Sequence, residues 1–278
     1  AIELAVALGG EVVACDSTAV YRGIDIGTDK VPVAEQRGIP HHLVDMVDAT
    51  ATYSAARYAA DAAAVIRDIH ARGKMPILAG GTGFYYRALV RGLFPGPARD
   101  EALRARLDRI AARRGVESLH RWLARVDSDS AHRIMPRDQK RLVRALEVYL
   151  LTGRPLSAHF AETASPLAGW RIRTFGLNTD RDVLRTRVTA RVEQQFARGV
   201  VEEVRSLIAA GVPMHAHAFS GLVYRQIIEM MQGVRDEAAT RALIVQENMR
   251  YARRQLTWFH HEPDVTWLEP GQSPLSLL

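Results

Sequence analysis

The chain has 278 residues, 47% of them hydrophobic, a net charge of +6 and a sequence pI of about 9.8. That is material for one well-packed domain plus an insertion, and the basic balance favours a polyanionic partner such as nucleic acid while also serving solubility. The single cysteine, Cys15, excludes a disulfide framework and a multi-cysteine zinc site; with no membrane-length apolar run and no signal segment, a cytoplasmic protein without membrane contact is expected.

Residues 1–8 (AIELAVAL) read as the tail of a helix stopped by Gly9-Gly10. They carry no capping residue and no preceding strand, so the chain is expected to begin inside an element. Residues 11–15 (EVVAC) form a short apolar strand ending at Asp16, and residues 75–79 (MPILA) a second, ending in Gly80-Gly81-Thr82-Gly83. Between them residues 54–70 are helical, with Ser54 as N-cap and Tyr58, Ala62, Val65, Ile66 and Ile69 on the inner face. Fully apolar strands separated by a helix imply a parallel sheet covered by helices.

From about residue 100 to Gly153 the pattern is helical throughout. Leu103, Leu107 and Ile110 mark one helix, residues 119–126 another, and residues 138–152 a third, closed by Gly153 with Pro155 beyond. Helices without interleaved strands predict an inserted all-helical subdomain at 98–167, between core segments 1–97 and 168–278. Residues 171–177 (RIRTFGL) are a further strand. Residues 180–198 are a helix with Leu184, Val188, Val192 and Phe196 four apart, stopped by Gly199. The last long helix carries a stripe of Ala242, Val245, Met249, Ala252, Leu256 and Phe259.

Three constellations could carry chemistry. Asp16-Ser17-Thr18 follows a parallel strand, where ligands bind in open α/β sheets; its carboxylate could accept a proton, support a metal-bound phosphate, or simply make a turn. The Gly80-Gly81-Thr82-Gly83 turn could bring backbone amides and a hydroxyl to an oxyanion, or be a plain strand-to-helix turn. It lacks a G-K-[ST] ending and so is not the primary triphosphate cradle. Lys140, Arg141 and Arg144, and separately Arg250, Arg253 and Arg254, form basic helix faces that suit either RNA phosphates or plain solvation. The histidine pairs His41-His42, His215-x-His217 and His260-His261 lack an H-E-x-x-H pattern or a carboxylate at ligand spacing. No metal site is predicted on them, and His41-His42 reads as a loop feature.

Taken in order, these residues resemble the tRNA dimethylallyltransferases over nearly the whole chain. The matching series is AIELA at the start, Asp16-Ser17, Tyr21-Arg22-Gly23, Asp25-Ile26-Gly27-Thr28, Pro40-His41-His42-Leu43 with Asp45, and Tyr53-Ser54. It continues with Gly80-Gly81-Thr82, Gln139-Lys140-Arg141-Leu142, Arg144-Ala145-Leu146-Glu147, Tyr224-Arg225-Gln226 and Ala252-Arg253-Arg254-Gln255-Leu256-Thr257-Trp258. The resemblance implies a P-loop-NTPase-like core, a class associated with nucleotide and ATP binding, with a helical insertion. It implies transfer of a dimethylallyl group from dimethylallyl diphosphate to the N6 amine of the adenosine 3′ to the anticodon. Asp16 would be the general base, Thr82 would hydrogen-bond the diphosphate near its bridging oxygen, and Mg2+ would neutralise that diphosphate.

By the same resemblance the tRNA anticodon stem-loop would meet Asp16, Ser17, Thr18 and Ala19, then Arg104, then Gln139, Lys140, Arg141, Leu142 and Val143. It would also meet Ser220, Gly221, Leu222, Val223, Tyr224 and Arg225, with Arg253, Arg254 and Gln255 on the last basic helix. Val223 stands where many members have glycine and is expected to tighten a backbone bend. In the family a G-x-x-x-x-G-K-[ST] loop that holds the diphosphate precedes the segment matching residues 1–5. Its absence predicts that these residues alone bind tRNA weakly and transfer nothing. A monomer is expected. The rivals are an adenylate isopentenyltransferase acting on free nucleotides, which needs no basic helices, a small-molecule P-loop kinase, and a non-catalytic RNA-binding protein.

Overall fold

After α1 (Ile2–Leu8), Gly9 takes the left-handed conformation at φ 60° and turns the chain into β1 (Gly10–Cys15), whose Val12, Val13 and Cys15 are buried. β1 is the middle strand of a parallel sheet, flanked by β2 (His41–His42) and β3 (Met75–Gly80), with Val12 opposite His41 and Cys15 opposite Gly80. The crossover to β3 is α2 (Ala55–Ala71), capped by the Ser54 hydroxyl accepting from the Arg57 N–H at 3.2 Å. Tyr58, Ala62, Ile66 and Ile69 are buried and Val65 is half-buried, and the Tyr58 hydroxyl donates to the Ala14 carbonyl on β1 at 3.0 Å. The helix is thus pinned to the central strand as well as packed on the sheet. The computed structural model describes residues 1–277.

β2 corrects the expectation of a loop at His41-His42. Two residues are too short for any periodicity to register, and the strand is fixed by an anchor instead: His42 Nε2 lies 2.7 Å from Glu11 Oε2. Glu11 is buried, and hydrogen bonds from Arg72 hold its carboxyl at about 2 against the burial that pushes it up, with His42 adding to the effect.

β3 leads into α3 (Gly83–Val90). A succession of helices follows: α4 (Glu101–Arg114), α5 (Val116–Val126), α6 (Ser128–Arg133), α7 (Gln139–Thr152) and α8 (Leu156–His159). Leu107, Leu119, Leu123, Leu142 and Leu146 form their common core. α6 escapes periodicity because it is six residues long; Asp127 caps it by accepting from the Ser130 N–H at 3.0 Å and also accepts from the Ser157 N–H. This helical unit spans Arg91–Ala168, and the other compact unit comprises Ala1–Val90 with Gly169–Leu278.

The second half of the core unit contains β4 (Thr174–Leu177), α9 (Arg181–Ala197), α10 (Val200–Ala209), α11 (Tyr224–Met231), α12 (Glu237–His260) and β5 (Val265–Leu268). β4 is shorter than the predicted 171–177 because it is strand only where β5 pairs with it, from Thr174 opposite Val265 to Leu177 opposite Leu268. The two make a separate parallel ribbon rather than extending the main sheet. α12 also departs from its predicted stripe. Ala242 is exposed, Thr240 and Ile244 are buried, and Val245, Met249, Ala252, Leu256 and Phe259 are half-buried. The helix touches α9, α11 and α3, and with several neighbours it has no single inner face. Among the described residues no helix is long and apolar enough to cross a membrane.

Candidate active site

At the carboxyl end of β1 the chain turns on Asp16. Its Oδ1 accepts from the Thr18 N–H at 2.7 Å, the Thr18 hydroxyl at 2.6 Å and the Ala19 N–H at 3.2 Å. This is a side-chain-to-backbone turn of the kind aspartate favours. No hydrogen bond among the described residues reaches Oδ2, and the side chain is only half-buried. The turn reading and the chemical reading therefore divide one carboxylate between them, an oxygen each.

The end of β3 is tied to this turn. The Thr82 N–H donates to the Cys15 carbonyl at 3.1 Å, and Thr82 Oγ1 accepts from the Ser17 N–H at 3.1 Å. Cys15 itself is not a nucleophile: burial, helped by the charge of Asp16, pushes its thiol up to about 12.

The glycines of the turn lie against α12. A Cβ on Gly81 would lie 2.1 Å from Gln255 Nε2, and one on Gly83 would lie 2.4 Å from the Trp258 ring. Gln255 Nε2 donates to the Gly81 carbonyl at 2.8 Å. α12 is thus seated on the turn; at Gly83 the Trp258 ring leaves no room for a side chain, while at Gly81 the mobile end of Gln255 would have to move. Gln255, expected among the tRNA contacts, has its amide nitrogen committed here.

The 220–225 segment reaches the same corner. A Cβ on Gly221 would lie 2.9 Å from Thr18 Cγ2, and the Tyr21 hydroxyl lies 2.9 Å from His217 Nδ1. Val223 holds φ 77° and ψ −62°, a rare and strained conformation for a β-branched residue, which matches the bend expected there. Tyr224 donates to Glu203 Oε1 at 2.6 Å and accepts from the Gly27 N–H at 3.0 Å, while Glu203 also takes the N–H groups of Asp25 and Ile26. Two stretches of the family series are explained structurally: Asp25-Ile26-Gly27 and Tyr224 brace each other.

The expected tRNA contacts differ in exposure. Ala19, Val223 and Tyr224 are buried in the core unit, and Leu142 and Val143 in the helical unit. Ser220, Arg225, Arg253 and Arg254 are exposed, and Ser17, Thr18, Gly221 and Leu222 are partly so. In the helical unit Glu147 is fully buried. It accepts from Arg104 at 2.7 and 2.8 Å, from Arg144 at 2.7 Å and from the Asp100 N–H at 2.9 Å. Arg144 also donates to the Pro97 carbonyl at 3.1 Å. Both arginines are half-buried and tied to Glu147: Arg104, expected among the tRNA contacts, and Arg144, whose face suited either RNA or solvent. Gln139 donates to Asp108 at 2.7 Å, and Arg141 makes only a 3.1 Å exposed pair with Asp138, while Lys140 is exposed.

One residue at the core corner was absent from the sequence-based set. Tyr251 is half-buried on α12. Burial raises its phenol above the ordinary value and the charge of Asp16 adds to that, against the opposing pull of Thr82, Arg254 and Gln255. The signal available was its spacing, four residues before Gln255 on one helix face.

A parallel sheet with a half-free carboxylate and an anchored hydroxyl at adjoining strand ends defines an α/β protein that handles its ligand beyond the carboxyl ends of its strands. The IPP transferase family model matches residues 19–262. A tRNA dimethylallyltransferase of Solibacter usitatus is 49% identical over 269 residues, covering 95% of this chain and 86% of the relative. Among solved structures, the full-length tRNA isopentenylpyrophosphate transferase of Bacillus halodurans matches with a TM-score of 0.69 and 34% identity, over 96% of this chain and 84% of that one. A eukaryotic dimethylallyltransferase acting on tRNA matches with a TM-score of 0.79 and 25% identity, over 99% of this chain and 70% of that one. The chain belongs to the IPP transferase family, and its fold is of the P-loop-NTPase-like α/β class.

Proposed function

We propose that the protein transfers a dimethylallyl group from dimethylallyl diphosphate to the N6 amine of the adenosine 3′ to the anticodon of tRNA, releasing diphosphate. The observation that carries this is the Asp16 carboxylate, oriented through Oδ1 and open at Oδ2. An aryl amine is a weak nucleophile, so a positioned proton acceptor lowers the barrier to its attack. The N6–C1 bond forms as the C1–O bond to diphosphate breaks, and the N6 proton passes to Asp16 Oδ2. Thr82, held by the Ser17 N–H, offers its hydroxyl proton as a hydrogen bond to the departing bridging oxygen.

The adenine must leave the anticodon stack to reach Asp16, at a cost of a few kcal/mol. Contacts to the RNA from Ser220, Arg225, Arg253 and Arg254 in the core unit, and from Lys140 and Arg141 in the helical unit, offset that cost. The protein acts as a cytoplasmic monomer.

Mg2+ fits these residues poorly. Among the described residues no three His, Cys, Asp or Glu side chains gather at a metal-binding distance, and the open oxygen of Asp16 cannot serve both a metal and a proton. Any Mg2+ would be carried by the diphosphate and water, and no step is assigned to it.

The test is incubation of a chain that also carries the family's G-x-x-x-x-G-K-[ST] loop ahead of these residues with dimethylallyl diphosphate and either an unmodified anticodon stem-loop or free AMP, with products resolved by mass. Prenylation of the stem-loop alone is expected. Prenylation of AMP in preference would make this an adenylate isopentenyltransferase, and stem-loop binding without transfer would make it a binding protein.

A further inference from the structure

The histidines of His215-x-His217 carry no metal signal, yet one of them has a place at the corner where Asp16 turns. The Tyr21 N–H donates to the Thr18 carbonyl at 3.2 Å, the Thr18 hydroxyl donates to Asp16 Oδ1, and a Cβ on Gly221 would lie 2.9 Å from Thr18 Cγ2. His217 is joined to the Asp16 turn on one side, through the 2.9 Å contact between its Nδ1 and the Tyr21 hydroxyl. On the other side the Ser220 hydroxyl donates to its carbonyl at 2.6 Å.

The two partners of the Tyr21–His217 contact have opposite surroundings: Tyr21 is fully buried and His217 is exposed. A phenol keeps its proton at neutral pH, and burial pushes that of Tyr21 up further. The proton needs an acceptor, and among the described residues His217 Nδ1 is the hydroxyl's one hydrogen-bond partner. Were Nδ1 protonated instead, its N–H would face the phenol oxygen and strand the phenol proton in the core, at the cost of an unmade buried hydrogen bond. Tyr21 is therefore the donor and Nδ1 the acceptor, so the neutral ring carries its hydrogen on Nε2. No hydrogen bond among the described residues reaches Nε2.

We propose that His217 is an RNA-binding residue of this corner: buried Tyr21 locks its imidazole, and the resulting Nε2–H is a hydrogen-bond donor to the anticodon loop beside the reacting adenosine. This rests on the proposed function, which brings an anticodon loop to Asp16. A ring already held by a buried side chain has little freedom left to lose on meeting RNA. As a neutral donor it adds affinity without releasing counterions, unlike the exposed Arg225.

The test uses the chain that also carries the family's loop ahead of these residues. NMR of isotope-labelled histidine ring nitrogens, with His217 assigned by the signals lost in His217→Ala, reads the tautomer at mildly alkaline pH, where imidazole is neutral. The Nε2–H form is expected, and the Nδ1–H form overturns the proposal. Adding anticodon stem-loop should shift the His217 ring signals; signals that stay in place overturn it as well. His217→Ala should weaken stem-loop binding about threefold to tenfold, the range of one neutral hydrogen bond, with the salt slope unchanged. A reduced slope overturns the neutral-donor role, because only a cation releases counterions. Tyr21→Phe leaves the imidazole but unlocks it, and in a His217→Ala background it should cost no further affinity; a further loss there overturns the lock. If wild type prenylates the stem-loop while the His217 signals stay in place, this inference falls alone. A stem-loop neither bound nor prenylated removes the function it rests on.

Discussion

Asp16 in the core unit and Glu147 in the helical unit are both carboxylates fixed by several donors, yet they end in opposite states. Glu147 has both oxygens occupied, by two arginines and a backbone N–H; burial pushes its carboxyl up, but those hydrogen bonds outweigh it and hold it at about 2. Asp16 has three donors on one oxygen and none recorded on the other. A carboxylate that does chemistry needs an orientation and a spare lone pair, and only Asp16 has both. The same contrast separates the cations: Arg104 and Arg144 complete a buried structure, whereas Lys140 and Arg141 on the same unit are exposed.

The largest expected effect is at Asp16. Asp16→Asn keeps an acceptor for Thr18 and Ala19 and removes the base, so kcat should fall about 10²–10⁴-fold while stem-loop affinity and thermal stability hold. An affinity that falls in step with kcat would make Asp16 a base-reading residue and dissolve the contrast with Glu147. Glu147→Gln should do the reverse, destabilising the protein by about 3–5 kcal/mol by stranding two partly buried guanidinium groups, measured by urea unfolding.

The sign of its pH dependence follows from the depressed carboxyl. Glu147 binds its proton more readily unfolded, near about 4.3, than folded, at about 2. Its stabilisation is therefore full above the unfolded value and is lost as pH falls toward the folded one. The stability gap between wild type and Glu147→Gln should accordingly narrow over that window, and a constant gap would show that the pair acts through packing instead. Replacing Lys140 and Arg141 together with alanine should reduce the salt slope of tRNA binding by roughly 1–2; an unchanged slope returns that face to solvent. The smallest effect concerns the bend beside Asp16. Val223→Gly should be more stable than Val223→Ala by about 0.5–1 kcal/mol, because only glycine relieves a positive φ, and the opposite order would show that side-chain burial outweighs strain.

Much of this was legible in the sequence. Apolar strands, the capping residue Ser54 and the stop at Gly153 are local signals, and the structure uses each of them; Asp138 and Asp180, read as the first residues of their helices, turn out to cap them. Asp16 was legible because a strand end exposes whatever follows it. The partner of Arg104 was not legible. On a helical projection Arg144 shares a face with Lys140 and Arg141, and it pairs with Glu147 one turn on; that Arg104 and the Asp100 N–H meet the same carboxylate is a tertiary fact. Leu142, Val143 and Tyr224 illustrate the converse: they belong to stretches that match the family series, but burial assigns them to the core that supports the site. β5 went unpredicted because four residues carry little period.

The seat of α12 on the glycine turn bears on how the protein comes into being. The bond from Gln255 to Gly81 spans 174 positions of chain, and the glycines it meets have no side chains of their own to settle the turn. Closing so long a loop is an entropic cost that local contacts cannot offset early. On the ribosome, the turn that carries Thr82 emerges long before the helix that clamps it. Asp16 and Thr82 should therefore acquire their final arrangement only after α12 has been made, so that a nascent chain, even with its first sheet formed, is not yet a catalyst.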